Sequence, residues 1–178
     1  MDTVNPCTIR RLNPDDAHAW AQLRLEALEI HPLAFGSAIP DEFNTLVTIA
    51  MDRLRVCEDS AFFGAFVNAA LIGTVGIQRG DGIKRRHKSL IVAMFVCPGN
   101  RRSGVGEMLM RAAIRHAQSW EGMEQIQLMV NDVAPEAKRL YERCGFRTWG
   151  IEPRSLKLKG EYTDSIQMIL DLRGCENA

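Results

Sequence analysis

The passage from Ser89 to Val130 restricts the architecture more than any other part of the chain. Ser89 to Val96 is a continuous apolar run, long enough for a central strand buried on both faces. A loop containing Gly99, Gly104 and Gly106 follows, and from Gly104 to Trp120 the hydrophobic period becomes helical. Val105, Met108, Leu109, Ala112 and Ala113 form its predicted buried face, with Glu107, Arg111, Arg115 and Gln118 on the wet one. Gln125 to Val130 then alternates, Ile126, Leu128 and Val130 pointing one way and Gln125, Gln127 and Met129 the other. Strand, helix and strand in this order predict a parallel pair.

The flanking segments add antiparallel structure. Asn13-Pro14-Asp15-Asp16 reads as a helix start capped by Asn13 or Asp15. Ala17, Trp20, Ala21, Leu23, Leu25 and Leu28 form the stripe of that helix, which ends near His31-Pro32. A second helix is predicted over Asp41 to Arg55. Phe62 to Val67 and Leu71 to Ile77 read as strands joined by a tight turn at Asn68-Ala69-Ala70. Pro135 suits the first turn of a helix that runs to Cys144 and stops at Gly145. Phe146 to Ile151 and Ser165 to Leu172 are two more strands, with a long, polar, hairpin-like connection between them. The predicted fold is α/β of the α+β type: a mixed, mostly antiparallel twisted sheet of about six to seven strands flanked by about four helices. Its 178 residues, numbered 1–178, suit a single domain.

Composition removes several function classes. Lys plus Arg equals Asp plus Glu at 22 each, so no global field draws in nucleic acid or an anionic membrane. Cys7, Cys57, Cys97, Cys144 and Cys175 are scattered and never form C-x-x-C, which supports neither a zinc site nor a disulfide framework. His18, His31, His87 and His116 lack metal-ligand spacing, so no metal is expected. Met1 to Asn13 carries no apolar signal core, and no apolar run approaches the ~20 residues of a membrane span. The expected location is cytoplasmic.

The chemistry concentrates in Val96-Cys97-Pro98-Gly99-Asn100-Arg101-Arg102-Ser103-Gly104-Val105-Gly106. A buried strand delivers the chain to a loop with glycines and two arginines, opening directly into a helix. The first turn of such a helix exposes unpaired N–H groups and the positive end of the dipole, a ready phosphate site. The pattern is neither G-x-x-x-x-G-K-[ST] nor G-x-G-x-x-G.

Arg101-Arg102-Ser103-Gly104-Val105-Gly106 resembles the R/Q-x-x-G-x-G/A pyrophosphate loop of the GNAT superfamily of acyl-CoA-dependent N-acyltransferases. Asn131, Ala134 and Ala137, with Leu140-Tyr141-Glu142-Arg143-Cys144-Gly145-Phe146, are similar to the family's N-x-x-A…LYxxxGF segment. His31-Pro32-x-Ala34-Phe35-Gly36-Ser37 and the ending from Glu152 to Met168 resemble one bacterial branch of the family. Two positions depart from it. Arg102 stands where glycine is frequent, which adds charge and removes flexibility. Ala134 stands where a second asparagine is common, which removes a side-chain hydrogen bond to the cofactor arm.

The resemblance implies an acetyl-CoA-dependent N-acetyltransferase acting by direct attack in a ternary complex. It implies that the pyrophosphate sits on the N–H groups of Arg101, Arg102, Ser103, Gly104, Val105 and Gly106. Backbone groups near Phe95 and Val96 would hold the pantetheine arm, Asn131 would contact the cofactor, and Tyr141 would protonate the departing thiolate. A phenol suits that role because its reference pKa, about 10, lies not far above a thiol's, about 8.5. No base is assigned among Asp132, Glu152, Glu161, Asp164 and Glu42. The carboxylate-rich C-terminal region weakly favours a cationic small amine as acceptor, with a protein N-terminus or lysine as the alternative. A non-catalytic acetyl-CoA-binding module and a homodimer are further readings. Cys97, without an identifiable His or Asp partner, is expected to be a buried free thiol, and Lys84 to Lys88 a solvated loop.

Overall fold

The structure, a computed structural model, describes residues 6–37 and 43–173. The predicted start of the second helix at Asp41, and Glu42 and Cys175, lie outside the described residues. Among the described residues the chain forms seven strands and four α-helices. These are β1 (Thr8–Arg11), α1 (Ala17–Ile30), α2 (Phe43–Arg53), β2 (Ser60–Val67), β3 (Ala70–Arg79) and β4 (Lys88–Val96). Then come α3 (Val105–Gln118), β5 (Gln125–Asn131), α4 (Pro135–Arg143), β6 (Arg147–Leu158) and β7 (Glu161–Asp171). The strands make one sheet in the order β1-β2-β3-β4-β5-β7-β6, antiparallel everywhere except between β4 and β5.

Residue alternation on β2 explains how helices cover both faces. Phe62 packs with Trp20, Ala21, Leu46 and Ala50 of α1 and α2. Its neighbours Ala61 and Phe63 pack with Leu109, Met110 and Ala113 of α3. A period of two sends adjacent side chains to opposite faces, so one strand serves both cores. The β2–β3 hairpin closes through Asn68 and Ala69, both at positive φ (50° and 63°) as a two-residue hairpin turn requires. At the front of α1, Asn13 accepts from Asp15 N–H while Asp16 accepts from Asn13 N–H, a reciprocal cap on a short 3-10 turn.

Three local expectations need correction. Periodicity shows no strand before α1, yet Thr8–Arg11 pairs with Phe63–Phe66. Four residues are too few to display a period, and partner strand β2 supplies the order. Met108 is exposed, and Met110 takes the buried place on α3 instead, beside Leu109 and Ala113. The hairpin after Ile151 is present, but most of the polar stretch is strand and not connection: β6 continues to Leu158 and turns into β7 at Lys159-Gly160. Its residues face water on an outer strand, so no hydrophobic alternation announces it.

Candidate active site

The strand that carries the chain to the candidate site is interrupted where it matters. Gly76 pairs with Val92 and Thr74 with Phe95, so Val75 alone faces both Ala93 and Met94 of β4. This is a β-bulge, and Ala93 takes φ 51° to make it. Beyond the bulge β4 no longer follows β5. Only Lys88, Ser89 and Leu90 pair with Gln125, Ile126 and Gln127, although both strands run on. β5 stays fully paired to β7, from Gln125 with Asp171 to Asn131 with Ser165. The sheet is therefore split down its middle.

A cleft of about 360 Å³ passes through the split. Ile91 to Met94 of β4 and Leu128 to Asn131 of β5 form its sides. Ala134 at the N-cap of α4 borders it with Ala137 and Tyr141 of that helix, and Arg24, Phe35, Ser37 and Arg53 do so from the α1 and α2 side. It thus connects the two faces of the sheet.

Tyr141 is 6% exposed and lines the cleft, and its hydroxyl makes no hydrogen bond among the described residues. Burial pushes its pKa well above the ordinary value, with Cys144 adding to the shift, so the phenol is protonated at neutral pH. Its position follows from the way α4 ends. Phe146 N–H donates to Tyr141 C=O and Gly145 N–H to Glu142 C=O, both at 3.0 Å. Gly145 makes the reversal at φ 94°, where any side chain is strained. This is a Schellman cap, and the LYxxxGF spacing is its sequence form.

The loop from Cys97 to Gly104 leads into α3. Gly104 caps the helix at φ 83°, with open space around it. The first backbone bond into the helix is Met108 N–H to Gly104 C=O, and the N–H groups of Arg102 to Glu107 have no backbone partner among the described residues. Arg102 sits at φ 62°, which accounts for the advantage of glycine at that position. Packing also keeps Gly106 small: a Cβ there would meet Leu140 at 3.0 Å and Met94 at 3.4 Å. The gap admits α4 and the bulge against α3.

Arg101 is turned back from the helix mouth. Its backbone N–H bonds Pro98 C=O, its Nε donates to Val96 C=O at 3.0 Å, and Nη2 meets His31 Nε2 at 2.9 Å. Burial and the nearby guanidinium depress the His31 pKa, so the ring is neutral and accepts. Phe95 is buried toward Leu23 and Ala27 of α1, and Val96 toward the α3 core. Asn131 is buried, and its side-chain amide donates to Leu33 C=O, tying the α1–α2 loop to the end of β5.

Cys97 is not part of the cleft wall. Its thiol faces Glu26 Oε2 at 3.6 Å, and burial together with that carboxylate pushes its pKa up to about 11. The candidate bases within the described residues, Asp132, Glu152, Glu161 and Asp164, also lie outside the cleft wall. Asp164 instead accepts from Arg154 N–H at 2.8 Å. In the basic β3–β4 loop, Arg86 forms a bidentate pair with Asp59 at 2.8 and 3.0 Å.

The sequence profile described as the Acetyltransferase (GNAT) family matches residues 20–146, from α1 through the cap of α4. The chain belongs to the GNAT family of acetyltransferases. Solved structures share this GNAT fold at low identity. A GNAT-family acetyltransferase from Streptococcus pneumoniae is 22% identical with a TM-score of 0.79, covering 93% of this chain and 99% of its own. The Salmonella typhimurium protein yncA, solved with its cofactor acetyl-CoA, is 17% identical with a TM-score of 0.80 and 94% of each chain covered. A spermidine N-acetyltransferase chimera from Vibrio cholerae and hSSAT is 22% identical with a TM-score of 0.73, covering 93% of this chain and 95% of its own. A search of curated proteins finds no match.

Two features of this GNAT site escape sequence reading. The Ala93 bulge carries no glycine or proline to announce it. Arg24 lies within the apolar stripe of α1, where a charged residue reads as the wet face, yet it is buried and lines the cleft.

Proposed function

We propose that this protein transfers the acetyl group of acetyl-CoA to a primary amine of a small molecule by direct attack. The observation that carries the reading is the continuous cleft through the β4–β5 split, with Tyr141 in its wall. The free N–H groups of Arg102 to Gly106 fit a diphosphate, helped by the dipole of α3 and the Arg102 charge. Arg101 contributes as a brace, holding the loop to β4 and to His31. Phe95, Val96 and the adjoining bulge at Ala93 and Met94 offer backbone groups to an extended arm, and Asn131 fixes the wall opposite.

Acetyl-CoA supplies an activated thioester. The chain's own residues then have two tasks: to orient it and to manage the proton of the leaving group. The bulge at Ala93 and Met94, where the β3–β4 register is interrupted, is the place where a backbone N–H is suited to polarise the acyl oxygen. Tyr141 keeps its proton at neutral pH and is the group in the cleft suited to give it to the departing thiolate. Burial raises the pKa of thiolate and phenolate alike in the same apolar surroundings, so the small gap between them is preserved. Cys97 is poorly suited to form an acyl-enzyme, since a thiol near pKa 11 beside Glu26 is scarcely ionised.

Tyr141→Phe tests the assignment. Its kcat should fall by about 10²- to 10⁴-fold, the usual worth of a positioned proton donor, with acetyl-CoA affinity by calorimetry unchanged. Full turnover by this variant would remove Tyr141 from the mechanism. No heat with acetyl-CoA or CoA, from folded wild-type protein, would remove the function altogether.

A further inference from the structure

The wall of the cleft on the α1–α2 side has a charge that the reaction as described does not use. Arg24 is 7% exposed, and its Nη2 donates to Ser37 Oγ at 2.7 Å. Its Nη1 is shielded from solvent and has no hydrogen-bond partner among the described residues. The guanidinium lies 4.3 Å from the centre of the Phe35 ring, which fixes its plane. Burial, and the like charge of Arg53, push its pKa down to about 10, so it remains a cation at neutral pH. Arg53 lines the same wall, and among the described residues no Asp, Glu, Lys or His borders the cleft.

A buried guanidinium whose hydrogen bonds among the described residues are incomplete is costly to maintain and calls for a counter-charge from the cleft it borders. A second cation beside it raises the cost further. A carboxylate fits this arrangement: it offers two oxygens to a planar fork and offsets both charges. Spermidine-like polyamines do not, since they would add positive charge to a cavity wall that already carries two guanidinium groups.

We infer that the acceptor is an amino-acid-like molecule whose amine is acetylated while its own carboxylate is held by Arg24, Ser37 and Arg53. This rests on the acetyltransferase reading above and names its substrate class. It reverses the cationic acceptor that the acidic C-terminal segments favour in the sequence, because none of those carboxylates borders the cleft. Arg24 acts as a specificity residue, with Phe35 and Ser37 setting its orientation.

The test is a thiol-release assay with acetyl-CoA and three matched sets of acceptors: the common amino acids, their carboxamides, and the corresponding decarboxylated amines, with spermidine alongside. Wild-type protein should turn over at least one amino acid with kcat/KM about 10- to 100-fold above its carboxamide, the worth of a hydrogen-bonded charge. Arg24→Gln should abolish that preference mainly through KM, Arg24→Lys should retain part of it, and both should bind acetyl-CoA as the wild type does. Where Arg24→Gln does not fold, the wild-type comparison of acid with amide and the exposed-site variant Arg53→Gln, with a smaller rise in KM, decide the matter. Turnover confined to amides or polyamines, or none with any amino acid, overturns the inference; so does a loss of acetyl-CoA affinity in Arg24→Gln. Turnover of spermidine alone would leave the acetyltransferase reading intact, whereas failure of acetyl-CoA to bind would end both.

Discussion

Tyr141 and Phe146 are joined twice: the Phe146 N–H donates to the Tyr141 carbonyl at 3.0 Å, and their rings meet edge to face with centroids 6.3 Å apart. The backbone bond stops α4 and the ring contact clamps the phenol against the sheet. Tyr141 is thereby held in the cleft by the way its helix ends, and its orientation depends on Gly145 and Phe146, neither of which borders the cleft.

Gly145→Ala is therefore expected to disturb Tyr141 without altering it. Forcing φ 94° on an alanine, with its Cβ 3.2 Å from Leu170, should cost about 1–3 kcal/mol. Urea unfolding reports the loss. At temperatures where the variant is folded, kcat should fall more than acetyl-CoA affinity does.

Arg102 separates charge from backbone strain. Arg102→Ala and Arg102→Gly both delete the charge, but only glycine is at ease at φ 62°. The glycine variant should be the more stable of the two by about 1 kcal/mol, the ordinary penalty of the left-handed region. Both should weaken acetyl-CoA binding to a similar degree in calorimetry. A much weaker glycine variant would mean that the strained loop, and not the charge, prepares the site.

The contact of His31 with Arg101 predicts a pH dependence. The folded-state pKa of His31 is depressed below its usual 6.5, by burial first and by Arg101 second. The unfolded chain consequently binds the proton more readily, and the neutral ring's contribution is present above about pH 6.5 and lost as pH falls through the folded value. Stability should decline on acidification from pH 7.5 to 5.5, and His31→Gln should show a shallower decline. His116, also depressed by burial and by Arg11, shifts in the same direction and supplies the remainder.

Cys97 and Cys57 should differ in reactivity. Cys57 is exposed, whereas Cys97 faces Glu26 and titrates near 11. At pH 8, iodoacetamide followed by peptide mass spectrometry should modify Cys57 well before Cys97, and the rate at Cys97 should rise steadily toward pH 11. Incubation with acetyl-CoA should leave no acetyl group on Cys97.

The fold was legible where periodicity and punctuation agree. The apolar β4, the helical stripe of α3 and the alternation of β5 each carry a local signature strong enough to place the parallel pair. β1 and the outer half of β6 were not legible, because a short strand and a solvent-facing one lack a hydrophobic period. Of the candidate site, the helix start at Gly104 and the Gly145 stop of α4 were readable, since backbone geometry demands particular residues at fixed spacing.

The amino-acid sequence alone determined the order of the elements from α1 onward, the glycine-containing loop that opens α3 and the presence of Tyr141 near the end of α4, because these depend on neighbours within a few residues. Tertiary structure alone decided that β4 and β5 part after Leu90, that Arg101 turns to His31, and that Arg24 borders the cleft with one N–H unpaired among the described residues. Such outcomes rest on contacts between segments far apart in the chain, where burial and pairing are properties of the assembled sheet and not of any local pattern.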